Sequence, residues 1–135
     1  MCLLWTNCKI SESKKGIIGE MVKRKILICG TRKKGYGLIV RLKLNELKDK
    51  EITFEIIEGC CPDSADEYAE KWAIENNIKV HHFPSNSGNY LKRNIEMVNI
   101  ADEVIAFWDG FSYGTAHTIA HATINNIPVT IINLK

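Results

Sequence analysis

A three-layer α/β sandwich of Rossmann-like type, built on a five-stranded parallel sheet, follows from two patterns in the sequence. Short apolar runs alternate with longer amphipathic segments, and the stretches that close the apolar runs are rich in glycine and small polar residues. The runs show no polar alternation, as strands buried on both faces require, and the amphipathic segments between them are long enough for right-handed crossovers.

The elements follow in order. Residues 25–29 are an apolar run closed by Gly30. Residues 36–49 place Leu38, Ile39, Leu42, Leu44 and Leu47 near helical spacing among Arg41, Lys43, Glu46 and Lys48. Residues 52–57 are β-branched and aromatic, followed by Gly59. Residues 63–77 are predicted helical, with Asp63 or Ser64 as N-cap and Ala65, Tyr68, Ala69, Trp72 and Ala73 on one side. A third strand, 78–83, ends at Pro84, and a polar loop at 85–89 leads into a helix at 90–99. A strand at 103–107, a helix at 114–126 and a strand at 128–132 complete the set. Residues 1–22 show no sustained period, carry a Ser/Lys-rich patch and end near a second methionine, Met21. They are expected to form an N-terminal extension of low order with one short helix around 17–22, ahead of a single domain at 23–135.

Composition narrows the function classes. With 135 residues, 45% hydrophobic and 25% charged, the chain is neither disordered, collagen-like nor a coiled coil. No apolar run approaches the ~18–20 residues of a membrane helix. A net charge of +2 gives no electrostatic argument for a nucleic-acid or membrane surface. The five cysteines are odd in number and lack metal-ligand spacing, which points to a reducing cytoplasm, with Cys29 as a small buried hydrophobe.

Ligands of open parallel sheets gather beyond the carboxyl ends of the strands, here in the loops 30–35, 58–63, 84–89 and 108–114. Gly30, Thr31 and Arg32 offer close backbone approach, a hydroxyl and a forked cation suited to phosphate; the same tripeptide also serves as a plain strand-end turn. Gly114 and Thr115 open a helix and make an anion cradle there. Trp108, Phe111 and Tyr113 beside them either sandwich a base or cover the end of the sheet. Arg93 sits near a helix start, where a cation opposes the dipole unless an anion compensates it. Asp66, in the first turn of its helix, suits the dipole. His117 and His121 share a helical face but lack a third ligand, so no metal is expected; His117 is placed in the pocket and His121 in the packing. His81 and His82 point to opposite faces of a strand. Neither GxGxxG nor a Walker A pattern is present.

Five pieces in register resemble the SLOG superfamily, in particular its small YspA-like branch. They are Gly30-Thr31-Arg32, the stretch Glu58-Gly59-Cys60-Cys61-Pro62-Asp63-Ser64-Ala65-Asp66, Lys92-Arg93-Asn94 with Met97, the run from Ala101 to Phe107, and Gly114-Thr115-Ala116-His117. The resemblance covers 25–135 and implies a Rossmann-like, often dimeric protein that recognises nucleotides or nucleotide-derived ligands. The loops and the resemblance together give the expected ligand-binding set Gly30, Thr31, Arg32, Gly59, Asp66, Arg93, Asn94, Trp108, Tyr113, Gly114, Thr115 and His117. Two related enzyme groups, the LONELY GUY (lysine-decarboxylase-like) type and the nucleoside deoxyribosyltransferases, carry a glutamate three residues after the threonine. Thr118 stands at that position here, and a hydroxyl cannot supply the negative charge that glycosidic cleavage needs.

The expectation is therefore a homodimeric, cytoplasmic module that binds a phosphorylated nucleotide derivative without turnover and without a cofactor. The rival reading is an N-glycosidic hydrolase or deoxyribosyltransferase-like enzyme with its carboxylate relocated to Asp109, Glu58 or Asp63, with Arg93 and His117 assisting. A third, a DprA-like nucleic-acid binder, lacks a basic stripe beyond Lys23-Arg24-Lys25 and Arg32-Lys33-Lys34.

Overall fold

Five parallel strands and four helices alternate along the chain in a computed structural model that describes residues 23–50, 53–85 and 89–134. The order is β1 (Arg24–Gly30), α1 (Gly37–Asp49), β2 (Phe54–Glu58), α2 (Ala65–Glu75), β3 (Val80–His82), α3 (Tyr90–Ile100), β4 (Glu103–Trp108), α4 (Tyr113–Ile124) and β5 (Val129–Asn133). The extension at 1–22 and the short helix expected at 17–22 lie outside the described residues. Across the sheet the strands run β3-β2-β1-β4-β5. No helix among the described residues is long and apolar enough to cross a membrane.

The unbroken apolar run of β1 is split residue by residue between two cores. Ile26 and Ile28 join Val40, Leu44, Trp72, Ile56, Ile105 and Phe107 on the face covered by α1 and α2. Leu27 and Cys29 join Ile57, Met97, Val98, Val104, Ala106 and Ala122 on the face covered by α3 and α4. This two-residue alternation is why a doubly covered strand reads as continuously hydrophobic. The buried stripe of α1 is Val40, Leu44 and Leu47, while Leu38, Ile39 and Leu42, three of the five apolar residues expected there, face outward. Between the two candidates for the α2 N-cap, Ser64 takes the role: its Oγ accepts the Asp66 amide at 3.1 Å.

Gly30 pairs in register with Phe107 at the point where β1, β4 and the start of α2 meet. A Cβ there would lie 2.9 Å from the Phe107 carbonyl oxygen, 2.9 Å from Ala65 Cβ and 2.7 Å from the Tyr36 hydroxyl. Backbone cannot step aside as a side-chain tip can. Gly30→Ala is expected to destabilise the chain by about 2 kcal/mol through overpacking, read as a lower urea midpoint; an unchanged midpoint would mean that helix and sheet have room to part.

Candidate functional site

The order β3-β2-β1-β4-β5 reverses direction at β1, so the crossovers leaving β1 and β4 diverge to opposite faces and open a crevice between them. A cavity of about 460 Å³ lies at this switch point, within the range of small-molecule sites. Cys29 and Gly30 form its floor, Cys61, Ser64 and Asp66 one wall, Arg93, Asn94 and Met97 a second, and Ser112 to Thr115 with Thr118 a third.

Arg93 is 9% exposed, yet its guanidinium reaches the cavity. Its NH1 donates to the Gly59 carbonyl at 2.6 Å and to the Phe83 carbonyl at 3.4 Å, and its Nε donates to Asn94 Oδ1 at 3.2 Å. These neutral partners orient the charge without cancelling it. Gly59 is where it is because of this arginine: a Cβ would sit 2.6 Å from NH1.

Asp66 is the one carboxylate among the described residues lining the cavity. Its Oδ2 accepts the Gly59 and Cys61 amides at 3.1 and 3.2 Å, which ties the β2–α2 turn to the helix. Burial pushes its pKa up to about 6, against the pull of those amides and of Arg93. Arg32 adds a second, exposed guanidinium at the mouth. Two guanidiniums facing one carboxylate give the cavity a positive balance.

The third wall is the start of α4. Its N-cap, Ser112, makes no side-chain capping bond, so the first-turn amides of the lining residues Tyr113, Gly114 and Thr115 have no capping oxygen. Asp109 turns the chain ahead of it, accepting the Phe111 and Ser112 amides at 2.8 and 3.1 Å. The Phe111 and Ser112 amides and the Thr31 hydroxyl hold its pKa below the ordinary aspartate value. Thr118 is buried and donates its hydroxyl to the Gly114 carbonyl at 3.1 Å.

Of the residues expected from the sequence, Gly30, Arg32, Asp66, Arg93, Asn94, Tyr113, Gly114 and Thr115 meet around the cavity. Four others stand behind it. Thr31 is buried and bonds both the carboxylate and the amide of Asp109, at 3.2 and 3.1 Å. Gly59 supports Arg93. The Trp108 indole donates to the Ser112 carbonyl at 3.0 Å, bracing the loop rather than facing a base. His117 Nδ1 lies 3.4 Å from the Asn94 amide, one layer back. The alternative carboxylates are also elsewhere: Asp109 shapes its loop, Glu58 turns toward Cys60 and His82, and Asp63 is not a lining residue. The cavity is also lined by Cys61, Ser64, Ser85, Tyr90, Met97, Ser112 and Thr118, which are not in the expected binding set; Cys61, Ser64 and Met97 lie within the resembling motifs, and Thr118 stands at the position of the related enzymes' glutamate.

Fold and site together define an α/β protein of Rossmann-like type with a ligand-sized, cationic cavity at the switch point. Among solved structures, the chain is similar to that of the molybdenum cofactor binding protein from the phototrophic bacterium Rippkaea orientalis, with a TM-score of 0.68 and 21% identity. The match covers 86% of this chain and 80% of that one, and it shows a common fold. No protein-family model matches the chain, and no curated protein matches it.

Proposed function

We propose that this is a SLOG-type module of the YspA-like branch that binds a nucleotide or nucleotide-derived phosphorylated ligand without turning it over. The observation that carries the reading is the buried guanidinium of Arg93, held by neutral groups and directed into a cavity whose opposite wall is a helix start without a side-chain cap. A phosphate placed between them would meet a charge-assisted donor and a helix dipole together. Tyr113, 87% exposed at the rim, is the aromatic available to a base. Binding without cleavage is supported by Thr118, whose hydroxyl is committed to its own helix, and by Asp66, whose carboxylate is committed to the turn. The fold shared with a molybdenum cofactor binding protein makes that cofactor a second ligand to try. In this reading the protein works in the cytoplasm as a homodimer.

Native mass spectrometry of the full chain, with a pool of nucleotides, NAD-type metabolites and molybdenum cofactor, tests all of this together. The expected result is a dimer carrying an adduct whose mass stays constant over hours. Release of free base or ribose phosphate would make the protein an enzyme. An absence of adducts would overturn the reading of the cavity.

A further inference from the structure

We infer a transition-metal site, of the kind that takes Zn²⁺ or Co²⁺, made by the Glu58 carboxylate, the Cys60 thiolate and the His82 imidazole. It lies on the far side of the β2–α2 turn from the cavity and is independent of the ligand reading above. The topology builds it. Glu58 and His82 are register partners at the carboxyl ends of the adjacent parallel strands β2 and β3, so their side chains project to the same face. Cys60 follows two residues after Glu58, held at a positive φ of 62° that turns it back over the strand ends.

The candidate ligand atoms all lie within 4.8 Å of one another. Cys60 Sγ is 3.7 Å from Glu58 Oε2 and 3.8 Å from His82 Nδ1. Ordinary zinc bond lengths put tetrahedral ligand atoms roughly 3.3–3.7 Å apart. The thiol edges are thus already at coordination distance. The third edge, His82 Nδ1 to Glu58 Oε2, is a 2.6 Å hydrogen bond. It must open by roughly 0.7 Å to reach the tetrahedral spacing, a shift available to a His82 side chain that is 46% exposed.

The carboxylate is prepared for one-oxygen ligation. Glu58 is fully buried, and the Cys60 amide donates to its Oε1, leaving Oε2 as the atom that faces the thiol and the imidazole. Glu70 on α2 has an oxygen 3.9 Å from the same imidazole nitrogen and stands next to the fourth position. A set of one sulfur, one imidazole nitrogen and carboxylate oxygen selects a borderline metal over Mg²⁺ or Ca²⁺. A Cys-His-Glu catalytic relay does not fit, because Cys60 and Glu58 both address the same ring nitrogen, Nδ1.

The test is titration of the reduced full chain with Co²⁺, following the thiolate-to-cobalt charge-transfer band, with Zn²⁺ as competitor. One Co²⁺ per chain is expected, displaced by Zn²⁺. Cys60→Ser is expected to abolish the band, and His82→Ala to weaken binding by at least about a hundredfold, since even outer-shell changes cost about 10–100-fold. Both side chains reach the surface, so these variants keep the fold. Cys61→Ser and the paired Cys2→Ser, Cys8→Ser change are expected to leave the band in place. A band that survives Cys60→Ser, one that disappears with Cys2 and Cys8, or no stoichiometric binding would each overturn the site.

Discussion

Replacing Arg93 by methionine is expected to weaken the affinity of the chain for phosphorylated ligands by about a hundredfold. Truncating one partner of a buried, hydrogen-bonded charge pair costs about 2–5 kcal/mol, and a hundredfold is about 2.7 kcal/mol of that range. Methionine keeps most of the apolar stem, so the loss reports the guanidinium and not a collapsed wall. Equal affinity in the variant, measured by calorimetry with the ligand found by mass spectrometry, would remove Arg93 from the site.

The same substitution has a signature in the folding equilibrium. Asp66 has its folded pKa raised to about 6 by burial, above the ordinary 3.8, and Arg93 is among the groups that hold it down. A folded value above the unfolded one means that the folded chain keeps a proton which the unfolded chain has released. The stability contributed by Asp66 is therefore fully present below its unfolded value and is lost as pH rises through the folded one. Without Arg93 the folded value climbs further, and the loss deepens and extends to higher pH. Urea midpoints at about pH 5 and about pH 8 check the sign. The variant should fall further behind the parent at the higher pH; an equal deficit at both would show that Arg93 does not act on Asp66.

Trp72→Ala is expected to cost about 3–5 kcal/mol, a large share of the 5–15 kcal/mol that stabilises an ordinary domain. Trp72 is fully buried, stacks on Phe54 with ring centres 6.1 Å apart, and donates its indole N–H to Asn45 Oδ1 at 2.8 Å. It thus joins α2 to both β2 and α1. Alanine would open a cavity at that junction and remove the indole bond to Asn45. Trp72→Phe, which keeps a stacked ring but loses the donor, should recover more than half of the loss. Thermal melts followed by circular dichroism decide; a loss under about 1 kcal/mol for alanine would mean the neighbours close over the gap.

Wherever the sequence carries local physics, it announces the structure. The apolar runs around Ile26, Ile56 and Val104 are strands because burial on both faces leaves them no polar position, and Ser64 caps its helix as its chemistry requires. Arg93, Asp66 and Gly114 are legible because each sits at a strand end or helix start, where backbone groups face a ligand. What stayed hidden needed pairing in three dimensions. Aromatic character alone left Trp108 open between facing a base and covering the end of the sheet; its indole N–H bond to the Ser112 carbonyl depends on the loop's closed shape, which no local pattern shows. Glu58, Cys60 and His82 share no linear spacing. They meet because β3 lies next to β2 in a particular register, information that belongs to the sheet and not to any segment.

The turn from Gly59 to Cys61 is a partition one peptide thick. Gly59 and Cys61 serve the cavity, through the carbonyl that holds Arg93 and the amides that hold Asp66, while the residue between them serves the cluster behind. Two guests on opposite sides of such a wall would share one short backbone segment. If a cation drawn to Cys60 stiffens the turn and so sharpens the placement of Arg93, the anion must in return tighten the cation by the same factor. Occupancy on one side then becomes a dial for the other, set by a three-residue backbone segment that needs no moving domain.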